Sequence, residues 1–134
     1  MDNVIEQLRS LNEEVPTPLR LPTESEIESV ENKLGLQFHP DYKKYLLEAS
    51  DIVYGVLEPA TISAESGHTY LVAMAKEAWK IGVPRDVLPI VEDNGDYYCL
   101  DQDGHILFWT YNGFTNEIWE NLANWIQEVW IGGN

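Results

Sequence analysis

Between Leu88 and Thr110 apolar residues gather into short runs separated by two turn signals, Asp93-Asn94-Gly95 and Asp101-Gln102-Asp103-Gly104. The runs are rich in β-branched and aromatic residues that suit a pleated surface, and together they predict a three-stranded antiparallel meander. Asn94-Gly95 suits a type I′ turn, whose two central residues both take positive φ, and Asp103-Gly104 offers the left-handed position of a longer loop. Consecutive hairpins turn at opposite ends of a sheet. Glu92, Asp93 and Asp96 are therefore expected at one end of the meander, and Asp101 and Asp103 at the other.

Upstream the apolar spacing is helical. Val4, Ile5, Leu8 and Leu11 form a modest stripe that Asn3-x-x-Glu6 is expected to cap, and Val15-Pro16-Thr17-Pro18 ends it. Prolines from Pro16 to Pro22 prescribe an extended strap. Thr23-Glu24-Ser25-Glu26 is a capping box, followed by the stripe Ile27, Val30 and Leu34 and a terminating Gly35. Pro40 can open a third helix, with Tyr42, Tyr45, Leu46 and Ala49 on one face. From Asp51 to Ser63 the pattern is irregular and β-like, predicting one or two short strands. Ser66, Gly67 and Thr69 prepare a fourth helix whose Leu71, Met74, Ala75, Ala78 and Trp79 share a face, and Gly82-Val83-Pro84 stops it.

After the meander, Tyr111 to Thr115 reads as a loop. A last helix is expected from about Asn116 to Ile131, with Ile118, Leu122, Trp125, Ile126 and Val129 as its stripe. This order gives a single α+β domain over residues 1–134, an antiparallel sheet including the C-terminal meander with helices packed against it. Residues 1–20 form the N-terminal helix and proline strap, and 21–134 the remainder.

Composition narrows the class. The chain has 134 residues, 44% of them hydrophobic, enough for one well-buried core, and no apolar run reaches membrane-spanning length. The first residues lack a basic segment followed by an apolar one, and a lone Cys99 cannot form an internal disulfide, so a reducing, cytoplasmic setting is expected. Charge changes the picture most. Eight basic residues stand against 23 acidic ones, for a formal net charge of −15, which disfavours nucleic acid and acidic membrane surfaces as partners. Residues 86–134 hold nine carboxylates and no Lys or Arg. Such a bias serves solubility, or it steers a basic protein partner.

Candidate chemistry is thin. Asp101-x-Asp103-Gly104 resembles the start of a calcium loop, but His105 stands where an EF-hand needs an oxygen ligand and the closing Glu is missing; a solvated hairpin tip is expected. His39, His68 and His105 are dispersed, without zinc-ligand spacing. Cys99 lies inside a strand, where a thiol is usually buried and inert. Glu65, Ser66, Gly67 and His68 have no nucleophile elbow around them. The expectation is no catalytic residue, no metal and no cofactor. Most of the five tryptophans are expected in the core, and Tyr111 and Phe114 are the better candidates for exposed contact.

Leu21-Pro22-Thr23-Glu24-x-x-Ile27-x-x-x-Glu31-x-x-Leu34-Gly35-Leu36, followed by Phe38-x-Pro40-x-Tyr42-x-x-Tyr45-Leu46, resembles the opening of the SUKH superfamily, the group related to the fungal Smi/Knr cell-wall assembly regulators. Leu88-Pro89-Ile90 through Gly95-Asp96-Tyr97-Tyr98-Cys99-Leu100-Asp101 and Gly104 resembles its second block. Ser50-Asp51-Ile52-Val53-Tyr54-Gly55 departs from the Asn-Gly-Gly-like turn common there. The resemblance implies a binding protein rather than an enzyme: bacterial members are mostly immunity proteins that neutralise a cognate toxin, often a nuclease or deaminase. On that reading Glu92, Asp93, Asp96, Asp101 and Asp103, assisted by Tyr111 and Phe114, are the candidates for contact with a basic toxin domain. A regulatory scaffold binding host proteins is the alternative.

Overall fold

The computed structural model describes residues 1–63 and 67–133. Its elements are α1 (Asp2–Leu11), α2 (Glu24–Leu34), α3 (Pro40–Ala49), α4 (Leu71–Lys80), β1 (Leu88–Asp93), β2 (Asp96–Leu100), β3 (Ile106–Thr110), β4 (Gly113–Trp119) and α5 (Leu122–Trp125), the last running on into a π-helical turn, Ile126–Ile131. The strands form one antiparallel sheet in sequence order, β1-β2-β3-β4. The α+β class and the meander expected from the sequence are both present, and the meander carries a fourth strand.

That strand corrects the expected loop and the start of the expected helix. Phe114, Asn116 and Ile118 alternate with Thr115, Glu117 and Trp119, and Phe114 pairs with Trp109, Ile118 with Leu107 and Trp119 with Ile106. Once β3 offers an open row of backbone groups, β-forming Phe, Thr, Ile and Trp gain more from a ladder than from one helical turn. The helix starts at Leu122, with the Asn121 side chain accepting from the Asn124 N–H at 2.8 Å.

The strands expected between Asp51 and Ser63 do not form. This segment finds no continuous partner and is tied down point by point. Val53 O accepts from Glu13 N, Val53 N donates to Asn12 Oδ1, Ala60 N donates to Ile90 O, and a single parallel bridge joins Thr61 to Tyr70. The bridge also explains how α4 begins without a side-chain cap, because the Leu71 N–H is satisfied by Thr61 O at 2.9 Å. Glu65 and Ser66, on the expected approach to α4, lie outside the described residues. Asn3 does not cap α1, which opens at Asp2 with no side-chain cap; the Asp2 carboxylate instead meets Lys44 of α3 at 2.8 Å. The Thr23 capping box of α2 and the Pro40 start of α3 are as expected.

One core joins the layers. Trp125, Trp130, Tyr42, Leu8, Leu46 and Leu71 are among its fully buried side chains. Trp130 stands edge-on to Tyr45 of α3 and donates its indole N–H to Tyr54 O at 2.9 Å, so the π-helical turn is fixed to the helical layer. Trp79 of α4 donates to Val87 O at 3.0 Å just before β1, and the Arg85 guanidinium covers its ring. Trp119, which falls within the span expected to be the last helix, is half-buried on β4 against Tyr98. No helix among the described residues is long and apolar enough to cross a membrane.

Candidate partner-binding surface

Each turn of the meander reverses the chain, so the β1–β2 and β3–β4 turns share one end of the sheet and the β2–β3 turn occupies the other. The first end carries Glu92, Asp93, Asp96 and Tyr111; the second carries Asp101 and Asp103. The separation of the two carboxylate groups expected from the sequence is therefore the geometry found. Phe114 lies beside the first end, at the start of β4.

At the β1–β2 turn Asn94 and Gly95 have φ of 53° and 90°, both positive as a type I′ turn requires. Glu92 Oε1 accepts from the Gly95 N–H at 2.7 Å, and the Asn94 side chain donates to Asp93. Among the described residues no Lys or Arg forms an ion pair with Glu92, Asp93 or Asp96. Cross-strand partners share a face, so Tyr98 lies on one face with Val91 and Phe108, and Tyr97 on the other with Glu92 and Trp109. Burial first, and then the charges of Asp93, Glu117 and Asp96, push the Tyr98 hydroxyl above the usual phenol range. Those three carboxylates therefore converge on one phenol. Burial, Glu92 and Glu77 raise Tyr97 in the same direction on the opposite face.

The β2–β3 tip uses its carboxylate differently. Asp101 Oδ1 accepts from the N–H groups of Asp103 at 3.0 Å and His105 at 2.9 Å, while Oδ2 lies 3.2 Å from His105 Nδ1. Ligand atoms of Asp101, Asp103 and His105 lie within 4.8 Å of one another, and this is the group among the described residues that could hold a cation. The Asp101 oxygens that would bind it already close the turn. Gly104 packs against His39, the N-cap of α3, whose Nδ1 accepts from the Asp41 N–H. The tip is thus fastened to the helical layer.

The cysteine and the remaining histidines have other surroundings. Cys99 is fully buried, its thiol pushed up to about 12 by that burial, and its sulfur faces Tyr97 O at 3.8 Å. His68 pairs with Glu58 at 2.7 Å on an exposed surface. A groove of about 930 Å³ runs between α2 and α3 over Leu36 and Leu47, between Glu28 and Lys43. Neither a histidine nor the cysteine lines it. A smaller cleft of about 470 Å³ holds His39, Asp86 and Asp101.

Two residues beyond the expected set lie on β4: Glu117, whose charge reaches Tyr98 in the middle of β2, and Ile118, which pairs with Leu107 toward the β2–β3 end. Assigned to a helix, they would have pointed elsewhere; the alternation from Phe114 to Trp119 is the sequence signal that places them on a strand.

The family model described as SMI1-KNR4 cell-wall, within the SUKH group, matches residues 1–131, taking in α1 and the proline strap. A solved crystal structure of a protein from Pseudomonas syringae pv. tomato is similar to this chain, with 43% identity and a TM-score of 0.95 over 98% of this chain and 99% of that one. No curated protein matches. The chain belongs to the SMI1-KNR4, or SUKH, family.

Proposed function

We propose that this protein is a non-enzymatic immunity protein that binds a cognate bacterial toxin, of the nuclease or deaminase kind, and neutralises it through an acidic surface. Family membership supports the binding class, since SUKH proteins are known as immunity and regulatory proteins. The observation that carries the reading is the run from residue 86 to 134: nine carboxylates, no Lys or Arg, and all four strands of the sheet. A toxin that grips phosphates or nucleobases presents a basic cleft. A surface of this charge attracts it from a distance and resists its displacement by nucleic acid.

The test is contact killing between siblings. A strain lacking the gene should be killed when grown against its parent on a solid surface and protected when the gene is restored. Equal survival in contact and in isolation would sink the reading. The family description as cell-wall proteins favours one alternative, a regulatory scaffold of the Smi/Knr type that binds host proteins. Under it, loss of the gene impairs growth in pure culture, with no added cost from siblings.

A further inference from the structure

We propose that β4 and the turns at its Tyr111 end form the docking surface for a protein partner whose contact face is apolar at its centre and basic around it. The naming of that partner as a toxin rests on the immunity reading; the surface itself rests on the observations that follow.

Of the six large hydrophobic side chains exposed among the described residues, three fall between residues 111 and 118: Tyr111 is 91% exposed, Phe114 41% and Ile118 59%. Phe114 and Ile118 are four residues apart on one strand, on the face that their partners Trp109 and Leu107 occupy. Gly82, next to the half-exposed Ile81, lies against the Trp109 ring on that same face. The apolar row is therefore continuous with a buried one and ends uncovered. Glu92 shares that face, and Asp93, Asp96 and Glu117, the three that converge on Tyr98, lie on the other, so β4, the last strand of the sheet, and the β1–β2 turn carry carboxylates on both faces. An uncharged centre with a charged rim is the anatomy of a protein interface.

Charge selects the occupant. A second copy of this chain docked on the same surface would set Glu92, Asp93, Asp96 and Glu117 against the same four carboxylates, with no Lys or Arg anywhere in residues 86–134 to relieve them, a like-charge juxtaposition that suppresses association. Pairing of β4 with another strand is also discouraged. The register slips between Leu107 and Trp109, and the Glu117 N–H is already taken by Thr115 Oγ1 at 3.1 Å. Bulges and charges of this kind blunt a sheet edge. What remains is docking through side chains by a partner bearing Lys and Arg around an apolar contact. The Asp101–Asp103 tip, at the far end and engaged in its own turn, takes no part.

The experiment places a benzophenone photo-crosslinking amino acid at position 114, 118 or 103 of the full chain in producing cells, identifies the captured protein, and then measures its binding in purified form. The expected result is one basic protein captured from 114 and 118 but not from 103. Its affinity should fall about tenfold or more for the Phe114→Asp/Ile118→Asp double variant and hold for Asp103→Lys. Both 114 and 118 are exposed, so an unchanged melting temperature will show that the double variant folds. Capture from 103 alone, capture of an acidic protein, or no capture from any position would overturn the surface. The outcomes separate the two proposals. Sibling killing with capture only from 103 keeps immunity and removes this surface. Capture of a basic protein from 114 and 118 without sibling killing keeps the surface and removes immunity.

Discussion

The two ends of the sheet are built from the same materials, Asp, Asn or Gln and Gly at hairpin turns, yet they spend them differently. At the β2–β3 end one carboxylate, Asp101, satisfies two backbone N–H groups and a histidine, and Gly104 is pressed against His39 of α3. At the β1–β2 end Glu92 is exposed and holds a single N–H, half-buried Asp93 and Asp96 pair with no Lys or Arg among the described residues, and Tyr111 at the same end is exposed. An acidic turn whose oxygens are consumed by its own backbone is a structural device. One whose oxygens stay outside is available to a partner.

Glycine substitution draws the comparison most sharply. Gly95 and Gly104 have nearly the same backbone, φ of 90° and 92°, so Ala at either site carries the left-handed penalty of about 1–2 kcal/mol. A Cβ on Gly95 meets nothing within 4 Å, whereas one on Gly104 would lie 2.7 Å from His39 Nε2. Gly104→Ala must also displace the ring that caps α3, for a total of about 2–4 kcal/mol. Urea melts of both variants should show Gly104→Ala clearly the worse. The His39→Ala/Gly104→Ala double variant should recover part of the difference, and equal losses at the two glycines would erase the proposed distinction between a fastened tip and a free one.

Side-chain truncation asks the same question with a smaller effect. Asp101→Ala removes the acceptor for two N–H groups at a half-exposed turn and should cost about 1–2 kcal/mol, water replacing part of what is lost. Asp93→Ala, which gives up only a contact with its neighbour Asn94, should stay within about 0.5 kcal/mol of the parent. Thermal melts of the pair suffice.

This contrast also marks where the sequence could be read. Asn94-Gly95 announced its turn because positive φ at two successive residues admits few side chains. Thr23 to Glu26 announced a helix start because a capping box is a local reciprocal bond. Both are short-range chemistry. β4 was hidden because Ile118, Leu122 and Trp125 also satisfy helical spacing, and only the presence of β3 decides between the two periods. The segment from Asp51 to Ser63 failed in the opposite sense: its β-branched residues have strand propensity, but no neighbour supplies a ladder. At the candidate surface the carboxylates and Tyr111 were legible as turn residues, and so was their division between two ends. Glu117 and Ile118 were lost with β4, and the packing of His39 on Gly104, 65 residues apart in sequence, has no local signature.

Charge reversal tests the free end directly. The Glu92→Lys/Asp93→Lys/Asp96→Lys variant should leave stability within about 1 kcal/mol of the parent, since these groups form no ion pairs with any Lys or Arg among the described residues and sit in a field of like charge. With the partner in hand, its association rate should fall several-fold at low salt and converge on the parent's at high salt, the mark of long-range steering. Reversal of Asp103 alone should move the rate far less.

The smallest expected effect is also the most specific, because it reads the field at one end from inside the sheet. Tyr98 is raised above the ordinary phenol value by burial foremost and then by Asp93, Glu117 and Asp96. Its neutral form is therefore favoured in the folded state: the associated stability is fully present below the unfolded value of about 10 and is lost as pH rises through the higher folded value. Neutralising the three carboxylates (Asp93→Asn/Asp96→Asn/Glu117→Gln) should lower the Tyr98 midpoint, read by NMR of labelled tyrosine and assigned with Tyr98→Phe. It should not return fully to the ordinary value, because burial is the larger cause and remains. The Asp101→Asn/Asp103→Asn variant should leave the midpoint in place, since neither of those carboxylates contributes to it. Equal shifts from the two ends would mean that Tyr98 senses net charge rather than neighbours, and the convergence of β4 with the β1–β2 turn would lose its electrostatic support.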